Sequence, residues 1–133
     1  MSSLRKVTNQ SDFQLSYIKL EDRNNNGNIA ANDVGTMDVW FPWVDNPRQF
    51  ASKVLVIEVI GLSRIYLWES GEFLWYCISD KYMEGPFNRH SKISVNGDEF
   101  SQGKIVPGDA GRANKELEVR NKGNEIFIKM YNC

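Results

Sequence analysis

From Asp22 to Asp33 the chain reads Asp22-Arg23-Asn24-Asn25-Asn26-Gly27-Asn28-Ile29-Ala30-Ala31-Asn32-Asp33, and its oxygen-bearing side chains are spaced like a ligand set for a hard divalent cation. Asp22, Asn24 and Asn26 stand at positions 1, 3 and 5 of this stretch, Gly27 at 6 and Asp33 at 12. Together with the Asn28 carbonyl they would supply most of the roughly six to eight oxygens that calcium takes, and a glycine at position 6 permits a sharp turn. Only Asp22 and Asp33 carry charge, so the Ca2+ affinity expected is weak, on the order of millimolar.

The spacing resembles that of EF-hand-type loops, most closely the dockerin-like variant in which the last ligand is Asp rather than Glu. The resemblance covers twelve residues of 133. An EF-hand also needs a helix on each side. Here the exit segment, Val34 to Pro42, carries Gly35, then β-branched and aromatic residues, then proline, and reads as a strand. The competing and preferred reading makes Asn24-Asn25-Asn26-Gly27 a solvated hairpin turn, because Asn and Gly tolerate positive φ.

Aromatic residues are the second chemical feature. Four Trp, five Tyr and seven Phe make up 12% of the chain, a surplus that must serve a core, an interface or a ligand platform. Arg64 to Trp68 and Phe73 to Ile78 flank Glu69-Ser70-Gly71-Glu72, which reads as a four-residue hairpin loop. That loop predicts Trp68 opposite Phe73, Tyr66 opposite Trp75 and Leu67 opposite Leu74. Alternation then puts Tyr66, Trp68, Phe73 and Trp75 on one face with Cys77, and Ile65, Leu67, Leu74, Tyr76 and Ile78 on the other. The second set is core. The first is preferably the inner face of an opposing layer; as the alternative it is an exposed platform, suited to the C–H faces of sugar rings or to the interfacial zone of a lipid layer. Trp40-Phe41-Pro42-Trp43 forms another cluster, in which Pro42 stops a strand and leaves Trp43 near a loop.

The elements that must position these residues are short strands and tight turns. Val54 to Ile60 is β-branched and apolar on both faces, as suits a central strand covered above and below. Lys92 to Val95 runs into Asn96-Gly97. Glu116 to Arg120 and Glu125 to Tyr131 surround Asn121-Lys122-Gly123-Asn124, with Leu117, Val119, Ile126, Ile128 and Met130 on one side. With the stretches around Phe13 to Leu20 and Thr36 to Phe41, this makes about seven to nine strands. The expected fold is an all-β, antiparallel β-sandwich of jelly-roll or Greek-key type, a single domain over 1–133 with at most one short helix. Ser11 to Leu20 is the helix candidate, from a capping-box pattern and the spacing of Phe13, Tyr17 and Leu20, but a strand is favoured there.

Composition narrows the function classes. With 41% apolar and 25% charged residues the chain is ordinary globular protein. Sixteen basic against seventeen acidic residues leave a net charge of −1, and the basic residues near the carboxyl end are cancelled by acidic neighbours, so no nucleic-acid partner is expected. No stretch approaches the length of a spanning helix and no secretory leader is visible, so the chain is expected to be cytoplasmic, or released without a signal peptide. Cys77 and Cys133 make no disulfide framework and are expected to be reduced. Asn9-Gln10-Ser11 is a glycosylation sequon in form only, since without export it would never meet the enzyme.

Catalysis is not expected. The single histidine, His90, lies in a polar loop, no zinc or CxxC motif occurs, and Pro107 to Arg112 lacks the Walker spacing and lysine. Glu69 and Glu72 read as solvated turn charges. The function expected is a non-enzymatic, lectin-like binding module that presents Trp40, Trp43, Tyr66, Trp68, Phe73 and Trp75 to a carbohydrate, with the Asp22 to Asp33 loop as a weak Ca2+ site. The alternatives are a lipid-binding, cytolytic or insecticidal type of β-sandwich acting at a membrane surface, and an assembly protein whose aromatic face is a subunit interface.

Overall fold

The computed structural model describes residues 3–70, 73–80, 91–92 and 114–132. In chain order the elements are β1 (Ser3–Asn9), β2 (Leu15–Lys19), β3 (Asp22–Ile29), β4 (Val34–Trp40), α1 (Pro47–Lys53), β5 (Leu55–Val59), β6 (Ser63–Ser70), β7 (Phe73–Ser79), β8 (Ser91–Lys92), β9 (Lys115–Lys122) and β10 (Glu125–Asn132). They form two sheets, ordered β10-β9-β1-β4 and β3-β2-β5-β6-β7-β8. Every pairing is antiparallel except β1 with β9. The layered all-β sandwich expected from the alternation is the fold observed.

The main core fills the space between the sheets. Leu4, Val7, Leu117, Val119, Ile128 and Met130 come from one sheet, and Leu15, Leu55, Ile57, Ile65, Leu67 and Tyr76 from the other. Period-two alternation along each strand produces this inner layer. A second, smaller core lies on the other face of the six-stranded sheet, where Val56, Tyr66, Trp68 and Cys77 meet Leu20, Val44, Val54 and Phe50. β5 therefore has apolar neighbours on both faces, which is why its sequence carries hardly a polar residue.

Helix α1 is what covers that outer face, and it lies outside Ser11 to Leu20, the one segment whose pattern suggests a helix. Asn46 caps it by accepting a hydrogen bond from the Gln49 N–H (2.9 Å), and Pro47 occupies the first turn, where its missing N–H is harmless. Phe50 is its only buried residue. The Ser11 to Leu20 segment is β2 preceded by a bend, not a helix: Ser11 Oγ accepts from the Phe13 N–H (3.2 Å) two residues on, so its capping pattern closes a tight turn.

Two local expectations are corrected. In the aromatic hairpin, Trp68 pairs with Trp75, Tyr66 with Cys77 and Leu67 with Tyr76, while Ser70 pairs with Phe73. The connection is thus Gly71-Glu72 rather than four residues, and Glu69 is a buried strand residue. A shift by two residues conserves the faces, so the division into two sets stands. The segment from Asp22 to Ile29 is strand β3, and the turn before it falls at Leu20-Glu21. No helix among the described residues is long and apolar enough to cross a membrane.

Candidate functional site: an anchored indole beside helix α1

β5 ends its pairing with β6 at Leu55 opposite Leu67, leaving the last residues of β6 without a neighbour on that side. The segment after β4 takes the place. Glu69 N–H donates to the Pro42 carbonyl (2.8 Å), and Val44 N–H donates to the Glu69 carbonyl (2.9 Å), so that Trp43 bridges Glu69 in parallel. Pro42 can serve here because only its carbonyl is needed.

From that anchor a polar chain runs across the surface. Trp43 Nε1 donates to Asp45 Oδ2, and Ser70 Oγ donates to Asp45 Oδ1 (2.8 Å). Gln49 Oε1 accepts from the Asp45 N–H (2.8 Å), so the start of α1 holds the backbone at the same point. Trp75 Nε1 donates to the Ser70 carbonyl (3.0 Å). Trp43 is nonetheless 42% exposed, and Trp40, three residues earlier, is 44% exposed. Full extension allows their Cα atoms at most about 11 Å of separation.

The six predicted aromatic residues therefore do not form one platform. Tyr66 and Trp68 are sealed beneath α1, with the Phe50 ring centroid 5.4 Å from that of Tyr66 and 5.1 Å, edge to face, from that of Trp68. A ligand cannot reach them without displacing the helix. Trp75 is half-buried at the margin of the second core, and Phe73 is described only by its backbone, opposite Ser70. What the structure brings together is Trp43 with Trp75, through Asp45 and Ser70, and with Trp40 nearby in the chain. Asp45, Ser70 and Gln49 were not foreseen as site residues. The close-range signal was the run Trp43-Val44-Asp45-Asn46-Pro47, an acceptor two residues from an indole and directly before a helix cap.

The five predicted calcium ligands fit that ion poorly. Asp22 pairs with Lys19 at one end of β2, and Ile29 with Leu15 at the other. The two ends are roughly 13 Å apart at about 3.3 Å per residue. Asp33 lies beyond Ile29, in the turn to β4, and its Oδ1 accepts from the Val34 N–H (2.8 Å). The two carboxylates, the only charged members of the set, are thus at opposite ends of a strand, whereas calcium needs its oxygens within about 2.6 Å of one point. Asn24 lies in a bulge between Asp22 and Asn26, where its N–H donates to Asp22 Oδ1 (3.3 Å) and Asn26 Nδ2 donates to the Arg23 carbonyl (2.8 Å). Asn28 continues the strand opposite Ser16. Gly27 has a steric reason of its own: a Cβ there would come within 2.7 Å of the Tyr17 hydroxyl across the ladder. Among the described residues no group of three or more His, Cys, Asp or Glu is placed to hold a metal. Calcium at several millimolar is expected to leave the melting temperature unchanged in a calorimetric scan; a concentration-dependent rise would restore the ion site, since binding to the folded state alone must raise it.

A depression of about 480 Å3, whose lining includes Gly61, Ser63, Ile78, Ser79, Asp80 and Asn124, contains none of the predicted binding or metal residues. His90, Cys133 and the Asn96-Gly97 and Pro107 to Arg112 stretches lie outside the described residues. Compared with protein-family models, with curated proteins and with solved structures, the chain has no match.

Proposed function

We propose that this chain is a non-enzymatic binding module that takes a carbohydrate on the surface formed by Trp40, Trp43 and Asp45. The observation that carries the reading is Trp43, an indole nearly half exposed yet tied at its only polar atom to a carboxylate that is itself tied down. An indole so anchored offers carbon surface rather than a hydrogen bond, and it offers it without the entropy cost of ordering a loose ring. Asp45 uses one lone pair on each oxygen for Trp43 and Ser70, which leaves acceptor capacity for hydroxyl groups beside the ring. Carbon surface next to a hydroxyl acceptor is the pairing a sugar ring requires.

A lipid surface is the competing ligand, and charge argues against its anionic form. Asp38 stands two residues before Trp40 and Asp45 two residues after Trp43, and Arg5, one of the bases near them, is engaged with Asp38 at 3.4 Å. The test is intrinsic tryptophan fluorescence with soluble oligosaccharides from a glycan array, run beside phosphatidylcholine and phosphatidylserine vesicles. The expected result is a shift with sugar and none with vesicles, weakened about tenfold or more by Trp43→Ala, as a central aromatic anchor should be. A response to vesicles alone would replace the reading with lipid binding.

A further inference from the structure

We infer that two copies of this chain pair edge to edge through β10, Phe127 meeting Phe127 on the two-fold axis, so that their four-stranded sheets become one continuous sheet. β10 ends the order β10-β9-β1-β4, and no strand lies beyond it among the described residues. It is eight residues long, without proline, glycine or bulge, and pairs with β9 in unbroken register from Glu125 opposite Lys122 to Asn132 opposite Lys115. Unprotected edges of this length are pairing templates. The other edges differ: β3 carries the bulge at Arg23 to Asn25, on β4 the Asp38 carbonyl is taken by Asn25 Nδ2 (3.1 Å), and β8 is two residues long.

The partner is a second copy because β10 is complementary to itself. Ile126, Ile128 and Met130 face the core, while Glu125, Phe127, Lys129 and Tyr131 face outward. The two-residue turn makes Glu125 and Lys122 the closing hydrogen-bonded pair, so the N–H and C=O groups of Ile126, Ile128 and Met130 point to the open edge. Only registers that keep the faces aligned are allowed, and charge chooses among them. With Lys129 on the axis, two like charges meet. With Ile128 on the axis, Glu125 faces Tyr131. With Phe127 on the axis, Glu125 lies opposite the partner's Lys129 on both sides, in non-hydrogen-bonded pairs where side chains are closest.

That register also extends patterns already present. Lys122 lies opposite Glu125, and Lys129 opposite Glu118, within each chain. The row across the joint then reads Lys122, Glu125, the partner's Lys129, the partner's Glu118, alternating in sign throughout. In the central row each Phe127, with Arg120 over its ring at 5.3 Å from the centroid, meets its counterpart.

Sedimentation velocity from micromolar to millimolar concentration tests this, with an expected dissociation constant on the order of 10–100 μM for an edge contact of this size. Glu125→Lys and Lys129→Glu, each alone, should weaken the dimer about tenfold or more, since each turns two attractive pairs between the chains into two repulsive ones, and the double swap, made with Lys122→Glu and Glu118→Lys so that the pairs within each chain stay attractive, should restore it. Within one chain these residues are four positions apart on a strand, so restoration requires two chains. Should a single variant unfold, Phe127→Cys in a Cys133→Ser background replaces it: oxidation should yield a disulfide dimer through position 127. A chain that stays monomeric throughout, a dimer indifferent to either single change, a double swap that fails to restore it, or absence of the cross-link overturns the proposal.

Discussion

Trp68→Ala is expected to remove about 3–5 kcal/mol of unfolding free energy, the range for a fully buried large aromatic. Trp68 is 1% exposed and makes an edge-on contact with Phe50, its ring lying between the six-stranded sheet and α1. The void cannot close cheaply. The floor is a hydrogen-bonded ladder with Trp75 directly opposite, and the helix is held at its start by Asn46 and by Gln49 bonded to Asp45. Since domains of this kind have about 5–15 kcal/mol in total, the loss is roughly a fifth of it or more. Urea unfolding followed by circular dichroism measures it. Phe50→Ala should cost a comparable amount, and the two together less than their sum, because both open the same cavity. A loss for Trp68→Ala below about 1 kcal/mol would mean that α1 does not close over this face.

The expected effect at Trp68 also marks what could and could not be read from residue types. β5, the β6–β7 hairpin and the β9–β10 hairpin were legible because alternation is a local property, and their faces fall where the pattern puts them. The cover of each face is not local. Tyr66 and Trp68 look alike to a period-two pattern whether they meet solvent or a helix, and α1 is a seven-residue element with one buried residue, Phe50, too short to show a 3.6 period. Its signal was the cap, Asn46-Pro47, which stood in the sequence unused. Trp40 and Trp43 are evident from residue type, but Asp45 depends on Ser70, twenty-five residues away, and such a pairing leaves no trace in spacing. The Asn-rich stretch misled for a related reason. Gly27 is required by the Tyr17 ring on the neighbouring strand, a reason that spacing within the stretch itself cannot reveal.

Asn9 is the other residue whose replacement should be costly, and its role runs against its sequence context. Asn9-Gln10-Ser11 has the form of a glycosylation acceptor, yet Asn9 is 0% exposed and its amide is consumed inside the fold. Nδ2 donates to the carbonyls of Phe13 (2.7 Å), Ala30 (3.1 Å) and Ile29 (3.3 Å), while Oδ1 accepts from the N–H and Oγ of Ser11 (3.0 and 2.6 Å). One side chain thus ties the end of β1 to the approach to β2 and to the end of β3, joining the two sheets. A glycan on Nδ2 would have to displace those bonds. Asn9→Asp keeps size and acceptor but replaces the donor with a second anionic oxygen facing three carbonyls. The expected loss is about 3–5 kcal/mol near neutral pH, the cost of breaking a buried network and burying an unpaired charge. The penalty belongs to the charged form in the folded state, so it is full at neutral pH and shrinks with acid. Because the fold penalises the charge, the buried carboxyl regains its proton, and with it one donated hydrogen bond, above the ordinary aspartate range, and the charge penalty is gone by about pH 4, where the unfolded chain's aspartate is protonated too. The gap between variant and wild type in urea should therefore narrow on acidification, whereas Asn9→Ala, which has nothing to protonate, should keep its gap. A loss for Asn9→Asp under about 1 kcal/mol, or one that does not change with pH, would mean that the sheets are joined by their apolar core alone.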